Sequence, residues 1–240
     1  MKLYTKILFL TGTVFFLGSS TLMGAEKTAV SVIKNSYNYM GHLKSYAFTA
    51  VISEEGAEDG KIVQHYKHFV KVKLERPNNL RVDVKGDIRN RTNYLHNGAY
   101  TMVDHAFGYY GQIKTPKRLD AALDYIFKQF GITAPLSAVL YSNMSKRMKV
   151  KAGKYFGVKD VDGVPCDYVA FKRNGKVIHV WVETGDKPLV KAYSIVNTNI
   201  AGYPRMNTSL TWDTDAKITD KDFVATVTKG VTKISVEPAN

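Results

Sequence analysis

The sequence has 240 residues, 45% of them hydrophobic and 23% charged. That balance belongs to a globular chain and excludes a disordered tail, a collagen or a disulfide scaffold. Lys and Arg number 34 against 21 acids, a formal charge of +13, and the one Cys rules out an intramolecular disulfide.

The first residues read as an address. Lys2 and Lys6 lead into an uncharged, mostly apolar run over 7–18, small residues follow, and Met23-Gly24-Ala25 precedes the first acid, Glu26. This is the order of a secretory signal peptide. The run is shorter than the roughly 18 residues of a membrane span. Cleavage is expected after Ala25, giving a signal peptide over 1–25 and one exported domain over 26–240; an uncleaved anchor is the alternative. No Cys lies near the site, so lipoprotein processing is not expected.

Val30, Ile33, Tyr37 and Met40 recur at helical spacing, with Gly41 as the expected end. Tyr46 to Ser53 reads as a strand, and the acidic stretch Glu54 to Gly60 as a loop. From Tyr66 onward, His68, Val70, Val72 and Leu74 face one way and Lys67, Lys71 and Lys73 the other. Leu80, Val82 and Val84 continue this against Arg81, Asp83 and Lys85. Period two with charge on one side predicts antiparallel strands with one wet face. Asn97-Gly98 predicts a two-residue hairpin turn, since both residues tolerate positive φ. That register keeps His96 and His105 apart.

A second helix is expected after Thr115-Pro116. Leu119, Ala122, Leu123, Ile126, Phe127 and Phe130 form its apolar stripe, and Gly131 closes it. A short helical piece over 135–148 comes next. Strands are then expected at 154–159, 166–172, 177–183, 190–197 and 208–213, punctuated by Asp162-Gly163, Asn174-Gly175, Gly185-Asp186 and Gly202 to Pro204. The elements make one α+β domain, a long antiparallel sheet whose uncharged face two or three helices cover.

Several stretches in this order are distinctive: HLKSYAFTA, KVKLERPNNLRVDVKGD, YLHNGAYTMVD, DVDGVPCDYVAF, KPLVKAYSI and DKDF. With them the chain resembles a family of predicted periplasmic proteins over nearly its whole mature length. More remotely it is similar to the periplasmic lipoprotein carriers of the outer-membrane sorting (Lol) system. The shared pieces there are Ser45, Tyr46, Phe48 and Thr49, then Arg76-Pro77-Asn78, then Asn97-Gly98. The resemblance implies a curved, half-open β-barrel wrapped over helices, with an apolar cavity for acyl chains. It implies a role in cargo transfer for Arg76. The carriers have Trp near this strand where Val72 and Leu74 stand here.

Other chemistry is sparse. His65 and His68 point to opposite faces of a strand and do not share a metal. Cys166 reads as a small buried residue. Ser31-Val32-Ile33-Lys34 matches the S-x-x-K of serine acyltransferases, but Lys114-Thr115 runs into Pro116 and leaves K-T-G incomplete. The acidic pairs near turns do not continue as a calcium loop. Neither a metal nor a cofactor is expected, and the chain is read as not an enzyme. Between Lys61 and Arg91 nine Lys/Arg face three acids, which suits anionic lipid surfaces as well as plain solvation. Nucleic acid is not a partner for an exported chain. Tyr109, Tyr110, Phe127, Phe130, Tyr141, Phe156, Tyr168, Phe171, Trp181 and Trp212 are candidates for the interior, as packing or as cavity walls. The expected function is a periplasmic carrier for a lipid or an acylated protein. Its ligand-binding residues would be Arg76 at the rim, Leu74 and Leu80 on the sheet, Leu123, Phe127 and Phe130 on the helix, and Trp181. The alternative is an envelope interaction module docking through the basic face.

Overall fold

The computed structural model describes residues 27–132 and 136–239. The expected signal peptide lies outside the described residues. The elements in chain order are α1 (Ala29–His42), β1 (Ser45–Glu58), β2 (Lys61–Glu75), β3 (Asn79–Gly86), β4 (Asn90–His96), β5 (Ala99–Asp104), β6 (Tyr109–Lys114), α2 (Leu119–Phe130), α3 (Ser137–Leu140), α4 (Met144–Arg147), β7 (Lys154–Val161), β8 (Val164–Arg173), β9 (Lys176–Glu183), β10 (Val190–Asn197), β11 (Arg205–Asp213), a 3₁₀ turn (Asp220–Phe223) and β12 (Thr232–Ile234).

All twelve strands join one curved sheet in the order β12-β6-β5-β4-β3-β2-β1-β11-β10-β9-β8-β7. The end strands β12 and β7 do not pair with each other, so the barrel stays open. Every pairing is antiparallel except that of β12 with β6. The alternation in β2 and β3 buries Val70, Val72, Leu74 and Leu80 against the helices and turns the lysines outward. The Asn97-Gly98 turn forms as expected, with φ of 50° and 77° and His96 opposite Ala99.

Several strands, β4, β7, β8, β9 and β11 among them, run one to three residues beyond the sequence reading at one or both ends, and three further differences concern β1, α1 and the segment after α2. The acidic stretch is strand up to Glu58, because β1 finds a partner in β2 along its whole length and the turn shrinks to Asp59-Gly60. Gly41 does not end α1, which runs to His42 and stops where Leu43 turns extended. A Cβ at Gly41 would overlap the Ser142 carbonyl oxygen, so this glycine admits a neighbouring chain. The helical piece after α2 is two single turns, α3 and α4.

The helices divide the concave face. The ring of α1 contacts falls on β8 and β9, and α1 also touches α3 and α4. The α2 residues Leu119, Ala122 and Ile126 enter the core over the other half. Acids on a second side of α2 hold the α3–α4 segment. Asp124 accepts two hydrogen bonds from Arg147, at 2.8 and 2.9 Å, and one from the Tyr141 hydroxyl. Those bonds hold its carboxyl below the usual carboxylate range, the Arg147 contact foremost. Asp120 accepts from the Ser142 backbone and hydroxyl.

Candidate functional site

Among the described residues, two hollows on the concave face stand out. The first, of about 120 Å³, lies between β1–β5 and α2, with Leu80, Val82, Val84, Leu123 and Ile126 among its walls. The second, of about 170 Å³, lies under α1 and α4, with Ile33, Met144, Met148, Phe171 and Val180 among its walls. Leu136, just before α3, borders both. The pinned α3–α4 segment is therefore the partition between them.

The first hollow has an apolar body and one polar end. Inward positions on β1 to β4 place Ile52, Val70, Leu80 and Leu95 along the body with Asn93 beside Val82, and Glu54, His68 and Arg91, joined by Arg89 from the β3–β4 turn, at the other end. His68 is 1% exposed. Its ring occupies the space over Gly86, where a Cβ would overlap it. Neither ring nitrogen has a hydrogen-bond partner, nor does Nε of Arg91.

Burial, more than any neighbouring charge, holds the His68 imidazole below its ordinary value of 6.5. Burial lowers His179 in the same direction, helped by Arg205. The unfolded chain takes up these protons as pH falls through 6.5, while the folded chain resists them. Stability is therefore fully present above that value and declines below it. A His68→Gln variant should lose less Tm than the wild type between about pH 7 and pH 5, measured by thermal unfolding. Equal losses would assign the acid sensitivity elsewhere.

Of the residues singled out from sequence, Leu80 and Leu123 line the first hollow. Leu74 is packed solid opposite Tyr46. Phe130 packs edge-on against Tyr125, and Phe127 is 54% exposed, because the apolar stripe is wider than the face α2 buries. Trp181 stands on the convex face, stacked on Tyr168 at 4.8 Å, with Phe156 on the other side of Tyr168. Even-numbered Val180 and Val182 take the inward positions of β9. Tyr109 and Phe156 are likewise exposed rather than interior.

Arg76 is not at the rim of either hollow. Its side chain is 12% exposed. Its Nε donates to the Leu43 carbonyl at 3.2 Å, and its guanidinium lies 3.9 Å from Asp120. It ties the end of α1 to the start of α2. The basic face is also partly neutralised. Lys73 pairs with Asp222, and Arg81 pairs with Asp83 and donates to the Asp222 carbonyl.

Ser31 of the S-x-x-K match belongs to a capping box, in which its backbone N–H donates to Thr28 Oγ1 and its Oγ accepts from the Thr28 N–H. That exposed cap holds no base over the hydroxyl. Cys166 is buried, and burial pushes its thiol up to about 11, which suppresses the reactive thiolate. Among the described residues no cluster of His, Cys, Asp or Glu is arranged to hold a metal. No described helix is long and apolar enough to cross a membrane.

Residues 29–237 match the family described as predicted periplasmic protein (DUF2092). Among solved structures, a conserved protein of Thermus thermophilus superposes with TM-score 0.51 at 7% identity, over 86% of this chain and 98% of that one. That likeness shows a shared fold. The lipoprotein LppX of Mycobacterium tuberculosis gives 0.47 at 12% identity, over 80% and 98% of the two chains. A LolA superfamily protein of Nitrosomonas europaea gives 0.39 at 11%, over 83% and 99%. No curated protein matches the sequence.

Proposed function

The chain belongs to the family of predicted periplasmic proteins (DUF2092), and from the hollows under its open sheet we propose that it is a periplasmic binding or carrier protein. Its ligand is hydrophobic or acylated, a lipid or the acyl part of a lipoprotein. The observation that carries this reading is the unfilled apolar space between sheet and helices, bordered by Leu80, Val82, Leu123 and Ile126. A core selected only for stability closes such voids, since each one costs contacts and stability. An acyl chain filling them gains about 0.8 kcal/mol per methylene removed from water. Roughly ten methylenes offset much of the entropy lost on association.

In this reading residues 1–25 are the export signal and 26–240 act as one unit. The protein binds rather than catalyses. A second contact, with an anionic lipid surface during loading or release, falls to the outward face of β2. There Phe69 is exposed, with Lys67 above its ring and Lys71 on the same face.

The purified protein, extracted with organic solvent, should release lipid detectable by mass spectrometry. The delipidated protein should then bind parinaric acid with a Kd in the micromolar range. An empty protein that also fails to bind the probe defeats the proposal.

A further inference from the structure

The polar end of the first hollow is the part that apolar packing leaves unexplained. Buried polar side chains ordinarily find partners, and each exception calls for a reason. Here three atoms, both ring nitrogens of His68 and Nε of Arg91, are buried without one. They belong to β2 and β4, the strands on either side of β3, and line the same hollow. Arg89 lines it too, and neither it nor Arg91 forms an ion pair with another described residue. Nη1 of Arg91 donates a long hydrogen bond to the Met102 sulfur at 4.0 Å.

The acids nearby are mostly engaged elsewhere. Asp87 accepts from the Lys67 backbone N–H, and Asp104 accepts from the Ala106 and Phe107 N–H groups. Glu54 alone faces the hollow, 3.9 Å from His68 Nε2. Two guanidinium groups and an imidazole against one carboxylate leave donors in excess, in a site whose other walls are mostly apolar and whose Asn93 already accepts from the Tyr100 hydroxyl. The matching partner is an oxyanion on a greasy chain: it takes charge-assisted hydrogen bonds at one end and buries methylenes at the other.

We propose that the first hollow binds a single acyl chain headed by an oxyanion, a carboxylate or a phosphate, with the head held by Arg91, Arg89 and His68. The chain runs from them toward Leu80 and Leu95. This rests on the carrier reading above and adds the chemistry of its ligand. Arg91 is the principal binding residue, because its side chain lines the hollow and its Nε is already buried without a partner. His68 supplies a second donor, its ring positioned by Gly86.

The test compares parinaric acid with its methyl ester, which keeps the chain and loses the charge, on the delipidated full chain. The wild type should bind the acid at least about tenfold more tightly, as expected for one hydrogen bond to a charged group. Arg91→Leu should abolish that preference by weakening the acid alone, while Arg91→Lys should keep part of it. Ester binding by Arg91→Leu serves as the check that the variant is folded. Displacement of the probe by palmitate or by a lysophosphatidate identifies the head as carboxylate or phosphate. Equal affinity of the wild type for acid and ester, unchanged in Arg91→Leu, overturns the head-group assignment and leaves the carrier reading standing. Failure of both probes to bind removes the two together.

Discussion

Val82→Trp should cost the protein most of its affinity for an acyl probe while leaving its fold intact. Val82 sits in the middle of β3, opposite Val72 on one side and Asn93 on the other, and borders the first hollow. An indole there grows into space that no side chain occupies. Displacing about three methylenes at about 0.8 kcal/mol each forfeits about 2.4 kcal/mol, roughly fiftyfold in Kd. Overpacking a closed core destabilises by about 1 to 3 kcal/mol, whereas filling a void commonly raises stability by about 0.5 to 2 kcal/mol. The sign of the Tm change therefore reports whether the space is real. The companion variant Ile178→Trp fills the second hollow instead, so comparing the two shows which compartment holds the chain. Unchanged probe affinity in both variants would mean that neither hollow binds it.

The pattern that leads to Val82 is visible in the sequence, and so is more of the site than the sequence reading extracted. Period two in β2 and β3 identifies His68, Val70, Val82 and Val84 as inward residues. Pairing of β4 with β3 carries that register on to Leu95, Asn93 and Arg91, which stand opposite Leu80, Val82 and Val84. Arg91 was legible as an inward cation, but a run of nine basic residues reads as a surface until pairing separates the two sides. The second hollow was not legible. It depends on how α1 crosses β8 and β9, and on the two short turns that split the expected helix after α2, which are matters of tertiary packing. Trp181 was misplaced for a related reason. Aromatic rings suggest an interior, yet β9 offers equal numbers of positions to each face, and Val180 and Val182 take the inner ones. Arg76 was picked out by a motif, and in the structure it stands at the joint of α1 and α2, braced between the Leu43 carbonyl and Asp120.

The C-terminal segment was the least readable part, and it makes the largest stability prediction. Phe223 is 0% exposed although the turn that carries it contacts β3 and β4 from their charged side. Arg81, Asp83 and Thr92 belong to that side, with Arg81 lying 5.4 Å over the ring of buried Tyr94. The segment is fastened by its own chemistry. Thr219 and Asp222 form a capping box, Lys73 pairs with the Asp222 carboxylate, and Arg81 reaches its carbonyl. Beyond it β12 covers the edge of β6, and the Ala239 N–H donates to Gln129 at the end of α2. The strap thus runs from the convex face around the sheet edge to a helix that walls the first hollow. Phe223→Ala should cost about 3 to 5 kcal/mol, the usual loss for a buried phenyl group. In a domain of this size that is a fall in Tm of roughly 6 to 20 °C. Limited proteolysis should then cut first within 214–231, because the polar fastenings are partly exposed and contribute little once their anchor is gone. A Tm within about 2 °C of the wild type, with the segment still protected, would show that the polar contacts suffice to hold the strap and that Phe223 merely fills a gap beneath it.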